Sequence, residues 1–192
     1  EIDRFLCVPV FEENTIVAIG AVANKSLPYE IADADALAFL YDKMWSLLKQ
    51  RQTDRQLQES EKKFRNIFEE SPIGKELYNE NGELIEVNQS CLDIFGVTYA
   101  DQLKGFNLFD DPNVTEEQKE RLRNKEKVRY EVAFQLNKVK HAHLYETTKS
   151  GIIYLDVMIT PLLEKKQHEA RGYLVQVVDI TERKELEKRL EK

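Results

Sequence analysis

The sequence has few of the residues that mark several common classes of protein. Its 192 residues include two cysteines, Cys7 and Cys91, which lie far apart and belong to no CxxC or Cys/His cluster. A structural zinc site is therefore not expected, and two isolated thiols fit the reducing environment of the cytoplasm. We expect both cysteines to pack as small core residues.

Long hydrophobic runs, an excess of positive charge and glycine-rich phosphate loops are also missing. The longest apolar stretch, Ile16 to Ala23, contains Gly20 and is far shorter than the roughly 20 residues that a membrane helix needs. The net charge of −7 argues against nucleic acid or an acidic membrane as a partner. None of the seven glycines has GxGxxG or GxxxxGK spacing, and GxSxG and HExxH do not occur. We therefore expect a cytoplasmic segment without membrane contact and without catalytic residues.

The first thirty residues indicate a β-hairpin. Strands are predicted from Phe5 to Phe11 and from Thr15 to Ala23, because both segments are rich in β-branched and apolar residues and a short polar turn separates them. A lone hairpin is marginal in water, so this one must pack against another element.

A single long helix is predicted from about residue 31 to residue 70. No glycine or proline occurs between Pro28 and Pro72, and apolar residues recur at helical spacing through Leu47 and Leu48. The middle, Lys49 to Lys63, is almost entirely polar. It can be a solvated connector, or a parallel seam between two chains that weakens at the centre. The second alternative predicts a homodimer formed through helices.

Dense local signals follow the helix. Asn81-Gly82 between two short alternating segments indicates a hairpin of strands 75–79 and 83–87. Asn88 is expected to cap a helix that Gly96 ends, and Thr115 and Gln118 form a capping-box pattern. Further strand candidates lie at 128–136, 141–148, 152–162 and 172–179. We expect an α+β fold with one five-stranded antiparallel sheet and short helices on one of its faces.

Several short motifs occur in a fixed order between residues 60 and 185: Phe64-Arg65, Phe68-Glu69, Ser71-Pro72, Gly74, Asn81-Gly82, Asn88, Phe95-Gly96 and Asp179-Ile180-Thr181. This order resembles a PAS domain, a sensory module. The resemblance implies a sheet and a helical cover that enclose a small pocket, and helices that carry a signal in and out.

The start of the chain has a second resemblance. Val8-Pro9, Asn24-Lys25 and Pro28 are similar to the C-terminal part of a GAF domain. We expect a GAF-like remnant at 1–48, a connector helix at 49–70, a PAS-like domain at 71–180 and the start of an outgoing helix at 181–192. The absence of an initial Met suggests a piece of a longer protein.

The resemblance to a PAS domain places candidate residues around the pocket. Their apolar side chains suit a small ligand, although the same side chains can also simply fill the core. Gln135 is a further polar candidate if it points inward. The candidates are Leu92, Phe95, Phe106, Phe109, Leu122, Val132, Phe134, Leu155, Val157, Leu174 and Gln176.

The identity of any cofactor stays open. Relatives that bind haem use a histidine on the helix predicted at 115–124, which has none, and the NCRFLQ-like helix of flavin-binding relatives is absent, so neither cofactor is expected. No metal site is expected: His141 and His143 fit a solvated sheet face, and His168 fits a charged turn.

The end of the chain predicts a signalling helix. Asp179 or Thr181 can cap a helix whose apolar positions include Leu186 and Leu190. The resemblance implies a relay to an output domain, with a two-component sensor histidine kinase and its phosphorelay as the expected context. The alternatives are a ligand-free spacer that only mediates dimerisation, or the regulatory part of a cyclase or phosphodiesterase.

Overall fold

The computed structural model describes residues 1–137, 145–163 and 170–190. They divide into two compact units, Glu1–Lys63 and Phe64–Lys192. Among the helices formed by the described residues, none combines the length and the hydrophobicity of a membrane span.

The first unit contains the predicted hairpin. Strands β1 (Phe5–Glu12) and β2 (Thr15–Ala23) pair antiparallel, and Val8 lies opposite Gly20. Glu13 and Asn14 both have positive φ angles of 45° and 67°, as a two-residue turn with the twist of a hairpin requires. Val8 and Val10 are buried, whereas Cys7 is exposed. The expectation that Cys7 packs in the core was wrong, because its side chain points away from the buried face of β1.

The long helix is confirmed as one element, α1 (Ile31–Glu69). It ends just before Ser71-Pro72, because the residue before a proline disfavours the helical conformation. Within the first unit, Leu37 is buried and the ring of Tyr41 lies where a Cβ atom at Gly20 would be. Glycine in β2 therefore lets the helix approach the hairpin closely.

The second unit is built on the expected five-stranded antiparallel sheet, in the order β4-β3-β7-β6-β5. Its strands are β3 (Gly74–Asn79), β4 (Leu84–Val87), β5 (Val128–Gln135), β6 (Ile152–Leu163) and β7 (Ala170–Asp179). Its helices are α2 (Gln89–Phe95), two 3-10 helices (Ala100–Leu103 and Leu108–Asp110), α3 (Glu116–Arg123) and α4 (Thr181–Leu190). The α+β fold class is confirmed.

One strand candidate does not join this sheet. Of the predicted strand at 141–148, residues 145–148 are irregular and β6 pairs directly with β5. His141, His143 and the rest of that strand lie outside the described residues, and so does His168.

One face of the sheet carries the main core. Alternate residues of each strand point to this face, and Val157, for example, lies between Tyr130 of β5 and Val177 of β7. Leu108, Val114 and Leu122, from the helical segments between β4 and β5, pack against it. The helical cover and this sheet face together enclose the candidate site.

Candidate functional site

A small cavity lies between the inner face of the sheet and the helical cover. Its volume is about 60 Å³, enough for a few water molecules and well below the several hundred Å³ of a site for a drug-sized ligand. Its wall is mostly apolar and includes two carboxyl groups. The lining residues are Glu76, Tyr78, Leu84, Phe95, Leu103, Phe106, Leu108, Asp111, Asn113, Val114, Tyr130, Val132, Phe134, Tyr145, Leu155, Val157, Ile159, Val175 and Val177.

The structure brings together part of the predicted pocket wall. Phe95 and Phe134 meet edge to face, with their ring centroids 5.2 Å apart, and place aromatic surface on the cavity. The predicted residues that line the cavity are Phe95, Phe106, Val132, Phe134, Leu155 and Val157. Their role in binding a ligand stays a prediction.

Three other predicted residues pack elsewhere in this unit, outside the cavity wall. Leu92 packs with Val87 and Cys91 in a second apolar cluster, which includes residues of α2 itself. Leu122 is fully buried in the main core. Phe109 packs edge to face on Tyr173 at 5.4 Å. None of the three lines the cavity.

The predicted positions of Leu174 and Gln176 need correction. In β7 the buried residues are Tyr173, Val175 and Val177, and the intervening residues point to the other face of the sheet. The run from Tyr173 to Val178 is nearly all apolar, so its pattern did not show which alternate set faces inward. Gln135 is exposed and likewise does not reach the cavity.

Glu76 is the main polar group that the sequence did not reveal. It projects from β3 into the cavity wall, where the hydroxyl of Tyr78 donates to its Oε2 atom at 2.6 Å and the thiol of Cys91 donates to its Oε1 atom at 3.1 Å. Burial raises the pKa of Glu76, and these two hydrogen bonds only partly offset that effect. Glu76 and buried Tyr78 are two residues apart in β3, so their side chains point to the same face of the sheet. This spacing was the one sequence signal that could have predicted that Glu76 faces inward.

Asp111 is a second carboxyl group in the wall. The backbone N–H and the side-chain amide of Asn113 both donate to its Oδ1 atom, at 2.8 and 2.9 Å. Burial raises the pKa of Asp111, whereas Asn113 and the nearby Lys119 act in the opposite direction. The cavity therefore holds two carboxyl groups that burial shifts toward the protonated form.

Tyrosines complete the polar part of the wall. The hydroxyl of Tyr145 is buried and has no hydrogen-bond partner in the described part of the chain. Burial is the main cause of the raised pKa of both Tyr145 and Tyr130, and the nearby acidic groups raise it further. An unpartnered buried hydroxyl costs free energy that a ligand with a hydrogen-bonding group could recover.

Among the described residues, no group of three or more His, Cys, Asp or Glu side chains is placed to hold a metal ion. Cys91 is fully buried, as expected for a core residue, and burial raises its pKa well above the usual value for a thiol. A thiol of this kind is a poor nucleophile and a poor ligand.

Comparison with protein families identifies this architecture. A family model described as PAS domain matches residues 72–182, which is more than half of the chain. The chain belongs to the PAS domain family. The resemblance inferred from the sequence motifs is thus confirmed for this part of the chain.

Solved structures of PAS and LOV domains are similar to the chain. A PAS domain of a protein from Colwellia psychrerythraea is 17% identical, with 63% of this chain and 97% of that chain covered and a TM-score of 0.49. The PAS domain of Bordetella pertussis BvgS is 20% identical, with 72% and 98% covered and a TM-score of 0.47. A LOV domain of a blue-light activated histidine kinase from Erythrobacter litoralis is 18% identical, with 58% and 98% covered and a TM-score of 0.43. No curated protein matches the chain.

Asn88 joins the incoming helix to the PAS domain. Asn88 is fully buried. Its side-chain amide donates to the carbonyl groups of Phe68 at 2.8 Å and Ile73 at 3.0 Å. Its Oδ1 atom accepts from the backbone N–H groups of Lys75 and Cys91. Of these hydrogen bonds, the sequence predicted only the one by which Asn88 caps α2. All hydrogen-bonding positions of this side chain are in use, so the end of α1, β3 and α2 are held at one point.

The two predicted relay residues lie where the last strand of the PAS domain continues into α4. The Oδ1 atom of Asp179 accepts from the N–H of Thr181 at 2.9 Å, which satisfies one free donor of the first helical turn. Thr181 does not cap the helix with its own side chain; its Oγ1 atom accepts from the N–H of Tyr154 in β6 at 2.9 Å. Thr181 therefore attaches the helix to the sheet.

Charged side chains make further contacts between α4 and the outer face of the sheet. Arg183 and Lys184 donate to the carboxylate of Glu131 at 2.6 and 2.8 Å, and these two cations lower the pKa of Glu131. Lys188 donates to the hydroxyl of Tyr154 at 2.5 Å. Each of these exposed contacts contributes little stability by itself.

Proposed function

We propose that the PAS domain is the sensory and signal-relay module of a multidomain signalling protein. A small ligand in the cavity shifts strands β5 and β6, and the shift changes how α4 is held. The proposal rests on one relationship: Val132 and Leu155 line the cavity and pair across the two strands, while the preceding residues, Glu131 and Tyr154, contact α4. Successive residues of a strand point to opposite faces, so one strand movement reaches both sites.

A larger side chain in the cavity tests this coupling without a known ligand. We expect Val132→Phe to change hydrogen exchange of the α4 amides several-fold relative to the β3 amides, because the ring takes up cavity volume and displaces β5. Val97→Phe is the matched control, since Val97 is buried just after α2 and does not line the cavity. Unchanged exchange in α4, or an equal change in both variants at matched global stability, would contradict the proposal.

We propose a two-component sensor histidine kinase in the cytoplasm as the parent protein. The GAF-like pattern of residues 1–48 and the Asp179-Ile180-Thr181 motif before α4 support this context. The coding sequence after Lys192 tests it: an HExxN-type ATP-binding box indicates a kinase, whereas a cyclase or phosphodiesterase domain there would contradict it.

We also propose that the chain forms a homodimer through α1. The helix has a second apolar face in the first unit, since Leu40, Met44, Leu47 and Leu48 are 53%, 46%, 61% and 57% exposed, at spacings that place them on one side. Sedimentation equilibrium should give a dimer, and Leu47→Glu should weaken it at least tenfold. Lys62→Glu, in the polar part of α1, serves as the control. A wild-type monomer at micromolar concentration would contradict this pairing.

A further inference from the structure

The electrostatic character of the cavity limits which ligands it can hold. Among the described residues that line the cavity, the ionisable carboxyl groups are those of Glu76 and Asp111. No lysine, arginine or histidine among the described residues lines it. A carboxylate or phosphate ligand would meet two acidic groups in a region of low dielectric without a compensating cation. The wall therefore disfavours anions.

Hydrogen-bond acceptors with unused capacity face the same space. Each oxygen of Glu76 accepts one hydrogen bond from the protein, although a carboxylate oxygen can accept two. Asn113 donates both of its hydrogen bonds to Oδ1 of Asp111. Among the described residues, no donor to the Oδ2 atom is seen, so this oxygen can accept hydrogen bonds from a ligand. The buried hydroxyl of Tyr145, which has no partner in the described part of the chain, can accept as well. A ligand that donates several hydrogen bonds would complete this set.

Aromatic rings form much of the remaining wall. The negative face of an aromatic ring attracts a cation, and it does so most strongly where water is excluded. The wall also contains aliphatic side chains that can cover a short alkyl group. The aromatic lining residues are Tyr78, Phe95, Phe106, Tyr130, Phe134 and Tyr145.

We propose that the cavity binds a small organic cation, a protonated amine with a short alkyl group. The ammonium group donates to Glu76, Asp111 and the Tyr145 hydroxyl, and the alkyl group packs on Val132 and the neighbouring rings. The volume of about 60 Å³ limits the ligand to a few non-hydrogen atoms unless the wall moves. This inference rests on the proposed sensory function of the same cavity.

The raised pKa values of the two carboxyl groups add a signature of proton release. A bound cation favours the ionised form of a carboxyl group, so a carboxyl group that is protonated in the free protein loses its proton when the cation binds. The affinity for the cation therefore rises with pH, up to the pH at which the carboxyl group is already ionised in the free protein. The observed binding enthalpy then depends on the ionisation enthalpy of the buffer. The titratable groups that face the two carboxyls are Tyr78 in β3, Cys91 in α2, Lys119 in α3, Tyr130 in β5 and Tyr145.

Three probes of similar size and different charge test the assignment on the whole chain: ethylammonium, ethanol and acetate. Amide chemical shifts of the cavity residues, measured during titration, report the site of binding, and calorimetry in two buffers reports proton release. We expect ethylammonium to bind at least about tenfold more tightly than either other probe, as one charge-assisted hydrogen bond can provide. Equal or tighter binding of ethanol or acetate, or no binding of ethylammonium at the cavity, would overturn the cation assignment.

Isosteric variants assign the selectivity to the carboxyl groups. Glu76→Gln and Asp111→Asn should each weaken ethylammonium binding about tenfold and change ethanol binding less than about twofold. Glu80→Gln, in the exposed turn after β3, should change neither. The wild-type selectivity remains decisive if a variant unfolds. If ethylammonium is not preferred but Val132→Phe still alters hydrogen exchange in α4, the cavity has a sensory role with another class of ligand. If Val132→Phe does not alter α4, the proposed sensory function is wrong, whatever the ligand.

Discussion

The backbone of Tyr154 holds the junction at Thr181 with both of its polar groups. Its N–H donates to Oγ1 of Thr181 at 2.9 Å, and its carbonyl accepts from the N–H of Ile180, immediately before α4, at 2.8 Å. The next residue along β6, Leu155, lies in the wall of the cavity. One dipeptide of the PAS domain therefore contacts both the candidate ligand site and the start of the outgoing helix.

Removal of the Thr181 hydroxyl should loosen this junction. We expect Thr181→Val, which keeps the shape of the side chain, to lower the free energy of unfolding by about 1 kcal/mol, because it leaves the N–H of Tyr154 without its acceptor. Urea denaturation measures this loss, and hydrogen exchange should increase in α4 more than in β3. Thr98→Val, at an exposed position of the same unit, should stay within about 0.5 kcal/mol of wild type. A Thr181 variant as stable as this control would show that the bond is not needed.

The buried carboxyl of Glu76 should make stability depend on pH. Its pKa is raised in the folded state, so between the unfolded value near 4.5 and the folded value the native protein binds more protons than the unfolded chain. The free energy of unfolding therefore falls as pH rises through this window, by at most about 1.4 kcal/mol per pH unit for one proton.

Glu76→Gln removes this titration. The unfolding free energy of the wild type minus that of the variant should decrease as pH rises above 4.5, and should be constant below it. Denaturation from pH 4 to pH 8 measures the difference, in which the opposite contributions of paired carboxylates such as Glu131 and Asp156 cancel. A difference that grows with pH would contradict the raised pKa.

Truncation of the cavity wall should be costly where the side chain is fully enclosed. Leu155 is 1% exposed, whereas Leu162 in the same strand is 37% exposed. We expect Leu155→Ala to lower the unfolding free energy by about 2–5 kcal/mol and Leu162→Ala to lower it by less than about 1 kcal/mol. Chemical denaturation of the two variants measures the contrast. Equal losses would mean that Leu155 is not part of a packed core.

Features fixed by neighbouring residues could be predicted from the sequence. Asn88 caps α2, and Gly96 ends it with a φ angle of 68° in the left-handed region, as their positions indicated. The capping box of Thr115 and Gln118 is likewise present. In each case the partners lie within a few residues of each other, so the local sequence contains the whole interaction.

The composition of the cavity wall could be predicted only in part. The alternation in β5 placed Val132 and Phe134 correctly on the inner face. The almost continuous apolar run of β7 allowed either parity, and contacts with β3 and β6 on both sides decide that Val175 and Val177 face inward. Periodicity gives a direction only where polar residues interrupt it.

The sequence by itself determined the long uninterrupted helix, the caps and turns, and the motif order of a PAS domain. Only the tertiary structure decided that Glu76 and Asp111 enter one cavity with the hydroxyl of Tyr145, because burial depends on segments far apart in the chain that meet only after folding. A carboxyl group on a strand looks solvated until the opposite wall is in place. That wall, contributed by the residues from Phe95 to Val114 and by Tyr145, buries the carboxyl group of Glu76 and raises its pKa.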